Sequence, residues 1–262
     1  MNILVCIKQV PNTDKIKIDN EKHTLIREGV ESIINPFDAY ALEFANRIKD
    51  NDKNTNITVI SMGPDQAKKA LTSALSLGAD NAFLISDKKF RGSDTLATSY
   101  ILSQSIKHLE KTHGQFDLIL CGKQAIDGDT AQVGPEIAEN LNYPQITYVR
   151  EIDVLKNSFR IKRETDEGYQ ILEVPFKCLM TITKPSFDLR FPSLKMKMKA
   201  KKTIIETLDL SLLSNIDTNY IGLKGSPTKV KKTYVNEIIK QSISINGSPK
   251  EIANELFKII EK

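Results

Sequence analysis

Over the first 150 residues, short apolar runs alternate with longer amphipathic ones, and this alternation restricts the fold more than any other feature. The runs Ile3–Ile7, Asn56–Met62, Ala82–Ser86 and Leu118–Cys121 are strand-length. None shows clean period-two alternation, which predicts strands covered on both faces. Between and after them, the spacing predicts helices over Asp38–Lys49, Gln66–Leu77, Asp94–Glu110 and Ala131–Leu141. In the second, Ala67, Ala70, Leu71, Ala74, Leu75 and Leu77 recur at helical spacing, and Gly78 follows as a C-cap. Such β-α repetition specifies an α/β fold with a doubly wound, mostly parallel sheet.

After about residue 145 the pattern changes. Ile146–Val154, Phe159–Arg163 and Tyr169–Val174 read as strands joined by hairpin-like turns, the clearest being Thr165-Asp166-Glu167-Gly168. Another apolar run, Cys178–Thr183, precedes a lysine-rich stretch, Lys195 to Lys202. Residues Ser211–Lys240 carry little core-forming content, and a helix with Ile252, Leu256, Ile259 and Ile260 in one stripe is predicted over Pro249–Ile260. We therefore expect an α/β nucleotide-binding domain over residues 1–205 and a C-terminal arm over 206–262. The arm either packs on another chain or folds back on its own domain.

Composition removes several function classes. A formal net charge of +4 is too small to imply nucleic acid, and the lysines cluster late rather than striping one face with aromatics. Cys6, Cys121 and Cys178 lie far apart in apolar runs, as reduced buried thiols do. No CxxC or HExxH occurs, and His23, His108 and His113 form no ligand pattern. The chain opens on a strand-like run rather than a signal peptide, and no run is long enough to cross a bilayer, so a cytoplasmic location is expected.

In an open parallel sheet, ligands bind beyond the carboxyl ends of the strands, near the switch point. The residues following the four strands are Lys8 to Pro11, then Gly63 and Pro64, then Asp87, then Gly122 to Pro135. The last run is the most informative. A strand leads into Gly122, Lys123, Gln124, Ala125, Ile126, Asp127, Gly128, Asp129 and Thr130, and then into a helix beginning near Ala131, Gln132, Val133 and Gly134. Gly128 permits a tight turn, Asp129 or Thr130 can cap the helix, and N–H groups at a helix start suit phosphate. A plain β-α loop with an N-cap fits the same spacing. Two further helix openings, Phe90 to Thr95 and Asn35 to Asp38, would add to an anion-friendly crevice. The GxGxxG and GxxxxGK[ST] cradles are both missing, and no acid–base or nucleophilic set stands out. A nucleotide crevice without such a set suggests binding or cofactor carriage.

At these residues the sequence resembles the β subunit of electron-transferring flavoproteins. The matching segments are NILVCIKQVP (Asn2–Pro11), INPFDAYALEFA (Ile34–Ala45), VISMGPDQAKKALTSALSLGAD (Val59–Asp80), GKQAIDGDTAQVGP (Gly122–Pro135), Tyr143–Thr147 and PSLKMKMKAKK (Pro192–Lys202), in family order. The resemblance implies a heterodimer with an α subunit that carries an electron-shuttling FAD, and on which the C-terminal arm would pack. It also implies AMP or a second FAD in the β crevice. The family's nucleotide contacts fall on the Cys6 backbone, Asn35, Gly63, Asp94, Thr95 and Gly122 through Gly134, especially Asp127, Asp129, Thr130, Gln132 and Val133.

A FAD in the β crevice marks the flavin-bifurcating branch, which takes electrons from NADH. It sends one to ferredoxin or flavodoxin and the other to an acyl-CoA or hydroxyacid dehydrogenase. Gly128, Thr130, Ala131, Val133 and Pro135, and the late run Gly222-Leu223-Lys224-Gly225-Ser226-Pro227-Thr228, are similar to that branch, and FAD is the expected ligand. The PSLKMKMKAKK block is shared with ordinary members that hold AMP and accept electrons from acyl-CoA dehydrogenases. The resemblance assigns this block a recognition loop for the dehydrogenase, with Leu194 as the inserted apolar side chain and Lys195 and Lys199 among the charges around it. A solvated basic loop is the other reading of a lysine run. Two departures from the family pattern are Lys177, where a proline is usual, and Ser186–Phe191 in place of a NEPRY-like segment.

Overall fold

In chain order the strands are β1 (Asn2–Cys6), β2 (Gln9–Pro11), β3 (Lys17–Asp19), β4 (Thr24–Ile26), β5 (Ser32–Ile34), β6 (Asn56–Met62), β7 (Asn81–Ile85), β8 (Leu118–Gly122), β9 (Gln145–Val154), β10 (Ser158–Thr165), β11 (Gly168–Pro175), β12 (Cys178–Ile182) and β13 (Glu206–Leu208). The helices are α1 (Pro36–Asn51), α2 (Lys68–Leu77), α3 (Thr95–His113), α4 (Val133–Leu141), α5 (Leu194–Lys202) and α6 (Pro249–Ile260). This computed structural model describes residues 1–12, 32–213, 215–229 and 244–260, with the backbone of 17–19 and 24–26. His23 and the 230–240 part of the weakly hydrophobic stretch lie outside the described residues.

Nine strands form one sheet in the order β11-β10-β9-β12-β8-β1-β6-β7-β13. From β9 to β13 every neighbouring pair is parallel, and β9, β10 and β11 continue as an antiparallel meander. The chain leaves β1 on one side for β6 and β7, then crosses to β8 on the other. The order therefore reverses between β1 and β8, which is where an open α/β sheet opens its crevice.

Ile3, Leu4 and Val5 are all fully buried because both faces of β1 are covered. One core holds Ile3 and Val5 with residues of α1 and α2, and the other holds Leu4 with residues of α3 and α4. This is the doubly wound arrangement that the uninterrupted apolar runs predict. Gly78 ends α2 at φ +127°, as its position implies, and an added Cβ there would meet the Asn46 side chain. The meander turns over the two residues Asp166 and Glu167, with Thr165 paired to Gly168.

Several elements depart from the spacing. The lysine-rich stretch is not a loop but helix α5: Ser193 caps it by accepting from the Met196 N–H, and Ala200 is buried on the α2 side. β13 is a three-residue strand on the edge of the main sheet beside β7, and Leu208, Leu213 and Ile221 enter the α3 side of the core. Lys177 has φ +61° and donates its N–H to the Asp117 carbonyl. Proline can do neither, so the backbone itself accounts for that departure.

Candidate functional site

The carboxyl ends of β1, β6, β7 and β8 open into a crevice of about 1460 Å³. Its floor includes Cys6, Ile60 and Cys121. One wall is the loop from Gly122 to Gly134, and the opposite wall runs from Asp87 through Arg91 to Thr95.

The loop is held from below by α1. Asp38 is buried, and its carboxylate accepts the Lys8 N–H at 2.7 Å and the Gly122 N–H at 3.0 Å, tying the ends of β1 and β8 together. Burial raises its pKa to about 7, against the lowering effect of those bonds. Gly122 has no room for a side chain: a Cβ would lie 2.4 Å from the Asp38 Oδ1 and 2.7 Å from the Phe37 carbonyl carbon. Asn35 occupies the N-cap position of α1, but its side chain makes no capping bond. It reaches instead into the loop, donating to the Gln124 carbonyl at 2.9 Å and accepting from the Ile126 N–H at 3.2 Å. Asp127 pairs with Lys8 at 2.7 Å.

Beyond that anchor the backbone turns sharply. Asp129 and Ala131 stand at φ +52° and +54°, a conformation that costs a residue with a Cβ about 1 kcal/mol or more. Gln124 steadies the turn by donating to Asp129 Oδ1 at 2.8 Å. The cap expected from Asp129 or Thr130 does not form. Helix α4 starts two residues later with Gln132 at the cap position and no side-chain bond, while the Asp129 carboxylate accepts from Gln124 instead. As a result the N–H groups of Thr130, Ala131, Gln132, Val133 and Gly134 have no protein acceptor among the described residues. Gly134 also lets α4 approach β12, since a Cβ there would lie 2.6 Å from Thr181. Unpaired donors at a helix start, on the lip of a crevice, are suited to an anion.

The opposite wall is a second helix start. Asp94 caps α3 by accepting from the Ala97 N–H at 3.1 Å, as its position before the helix implies. The late run Gly222–Thr228 folds against this corner. The Thr228 N–H donates to Asp94 at 3.0 Å, the Asp94 N–H donates to Ser226 Oγ at 2.9 Å, and Gly222, at φ +57°, lies against the Lys89 carbonyl. Burial opposes ionisation of Asp94, but the bonds from Thr228 and Ala97 prevail and hold it below the usual carboxylate range. Thr95 meets Gln132 and Glu136 across the gap between α3 and α4 at 3.4 and 3.3 Å. Burial raises the Glu136 carboxyl above its usual range, against the Ser99 and Thr95 hydroxyls. On the floor, a bond with the Cys6 thiol, and then burial, hold the Cys121 thiol well above its ordinary range. It therefore offers no thiolate for chemistry.

Of the residues singled out from sequence, the structure gathers Cys6, Gly63, Asp94, Thr95, Gly122, Lys123, Gln124, Gly128, Asp129, Thr130, Ala131, Gln132, Val133 and Gly134 on the crevice. Asn35 and Asp127 stand behind the wall and brace it. Asp38 does not stand out in the sequence as a site residue, because an acid in a helix's first turn ordinarily serves the helix dipole. Its place in the Asn35–Asp38 helix opening was the available signal. Leu194, Lys195 and Lys199 lie on α5, away from the crevice, with their side chains exposed.

Fold and crevice together define a doubly wound α/β protein whose switch point carries two helix starts and a loop of unpaired backbone donors. The family model for the electron transfer flavoprotein domain matches residues 22–213. The chain is 54% identical over 236 residues to the electron transfer flavoprotein subunit beta of Megasphaera elsdenii, covering 89% of this chain and 87% of that one. It is 48% identical over 255 residues to the subunit of the same name from Clostridium acetobutylicum, covering 97% and 95%. It is 45% identical over 237 residues to the caffeyl-CoA reductase-Etf complex subunit CarD of Acetobacterium woodii, covering 89% and 87%. The chain belongs to the electron transfer flavoprotein family, on the β-subunit side.

Proposed function

We propose that this β subunit pairs with an α subunit and holds FAD in its crevice, as one station of a flavin-bifurcating electron carrier. The observation that carries this reading is the pairing of free donors with space. The N–H groups of Thr130 to Gly134 face a crevice of about 1460 Å³, above the roughly 300–1,000 Å³ of a pocket for one drug-sized ligand. A lone adenylate would fill a small part of it. The donors would take the pyrophosphate, with Thr95 and the start of α3 closing on it from the other side. The bound flavin would supply the electron chemistry, accepting and releasing electrons singly or in pairs.

The chain's own residues bind and orient the cofactor. Asp38 and Asn35 fix the loop, Gly122 keeps α1 close beneath it, and the Asp94–Thr228 contact sets the direction of α3. NADH would deliver the electrons, which would pass to ferredoxin or flavodoxin and to an acyl-CoA or hydroxyacid dehydrogenase. The relative named for a caffeyl-CoA reductase complex supports an acyl-CoA-linked partner. We assign Leu194, Lys195 and Lys199 to docking of the dehydrogenase, and α6, whose Leu256, Phe257, Ile259 and Ile260 are exposed, to the α subunit. We place this carrier in the cytoplasm; no helix among the described residues is long and apolar enough to cross a membrane.

The test is the nucleotide content of the heterodimer purified after co-expression with its α subunit. Two FAD per heterodimer, with NADH-driven reduction of ferredoxin, are expected. One FAD and one AMP would show the single-flavin carrier instead. An empty β crevice would overturn the nucleotide assignment.

A further inference from the structure

Behind the Asp87–Thr95 wall of the crevice lies a second, smaller pocket of about 320 Å³, at the lower end of the roughly 300–1,000 Å³ of small-molecule sites. Four cationic side chains converge on it: Lys88, Lys89 and Arg91 from the turn after β7, and Lys224 from the late run. None of the four makes an ion pair among the described residues. The acids on the same two segments serve the backbone instead. Asp87 accepts the Lys89 and Leu210 N–H groups at 2.8 and 3.3 Å, and Asp217 accepts the Asn219 N–H at 2.9 Å.

The pocket is built rather than incidental. Buried Phe90 pins the Lys88–Phe90 turn to the α3 side of the core. The other segment is held to α3 and its approach. The Asp217 N–H donates to the Tyr100 hydroxyl at 3.0 Å, and the Gly222 N–H donates to Ser93 Oγ at 3.1 Å. Lys224 is aimed by its Nζ donating to Asn219 Oδ1 at 2.6 Å. Lysines spread over an open surface would serve solubility alone. Here two segments distant in sequence bring four like charges to one concavity, where their fields add and an anion would offset their repulsion.

We propose that this pocket is a second anion site, separate from the crevice, which binds the diphosphate group of a small soluble ligand. The Arg91 guanidinium offers a fork for two phosphate oxygens, and the three ammonium groups balance the remaining charge. Thr218 adds a neutral hydroxyl, and Leu223, 66% exposed, leaves an apolar surface for a sugar or base. Lys88, Lys89 and Arg91 also line the crevice, so filling the pocket lowers the positive potential at the crevice mouth. The assignment goes beyond the flavin reading and does not depend on which nucleotide occupies the crevice.

The experiment is calorimetric titration of the purified heterodimer, its crevice nucleotide in place, with inorganic pyrophosphate, ADP and NAD+ as separate probes. Saturable binding of one probe molecule per heterodimer is expected, weakening as salt is added. Arg91→Ala and Lys224→Ala should each weaken it about tenfold, and Lys224→Arg should restore most of the affinity. Lys224 lines this pocket and not the crevice, so the crevice nucleotide content of Lys224→Ala should equal that of the wild type. Tighter binding of ADP or NAD+ than of pyrophosphate would assign the diphosphate to a nucleotide, and equal binding to the free anion. If no probe binds saturably, or if Lys224→Ala binds within about twofold of the wild type, the second site is wrong. The flavin reading, tested by nucleotide content, would stand in either case.

Discussion

At the crevice the exceptional residues are polar and buried, whereas on the face from Phe187 to Met198 they are apolar and exposed. Asn35 and Asp38 have almost no accessible surface, yet both are satisfied by backbone groups of distant strands and loops. Phe191, Leu194 and Met198 are exposed, yet they are presented by ordered backbone. Each region inverts the usual partition of side chains, and such inversions carry information about function. The difference separates their roles. The buried polar clamp makes a rigid concave wall, suited to a small anionic ligand. The exposed apolar face leaves its side chains in contact with solvent.

If that contrast is right, changes at the clamp should cost stability and changes at the docking face should not. The largest effect is expected from Asp38. Because burial raises its pKa from 3.8 to about 7, the folded chain binds a proton more tightly than the unfolded chain. This group's contribution to stability is therefore complete below about pH 4 and declines as pH rises towards 7, by roughly 4 kcal/mol in all. Chemical denaturation at a series of pH values should show that slope in the wild type and its loss in Asp38→Asn. An unchanged slope would mean that the clamp titrates elsewhere.

Gly122→Ala pushes a methyl into Asp38 and the Phe37 backbone, and should cost about 3 kcal/mol by thermal or denaturant unfolding, with loss of bound nucleotide. Asn35→Ala orphans the Gln124 carbonyl and the Ile126 N–H, and should cost about 2 kcal/mol. Asn35→Asp, which buries a second carboxylate beside Asp38 and sets it against the Gln124 carbonyl, should cost more than Asn35→Ala. Ser226→Ala removes the acceptor of the Asp94 N–H and should cost about 1 kcal/mol, with faster nucleotide release by fluorescence. Phe191→Ala should change stability by no more than about 0.5 kcal/mol. A large loss there would erase the distinction between the two regions.

The sequence also revealed these regions unequally. The crevice loop was readable because β8, the run of small and polar residues and the opening of α4 follow one another without interruption, so local pattern and final position coincide. Its bracing by Asp38 and Asn35 was not readable as a joint device, since their partners Gly122, Gln124 and Ile126 are more than eighty residues away. Five lysines give no amphipathic stripe, so the sequence pattern predicts a loop where α5 forms. Its stability comes from a serine cap and one alanine buried near α2. β13 was missed for a related reason: three residues hold no period, and pairing with β7 alone makes them a strand.

The order of apolar and amphipathic runs, by itself, determined the doubly wound class, the side of the sheet on which a ligand site would lie, and the loop that would form it. These follow from local burial and from the handedness of β-α connections, which act wherever such runs occur. Only the tertiary structure decided that the loop's amides find no acceptor among the described residues, that Asp94 is tied to Thr228, and that Phe191 is exposed. Each of those outcomes depends on which distant groups come within about 3 Å of one another, and that is set by the packing of the assembled chain.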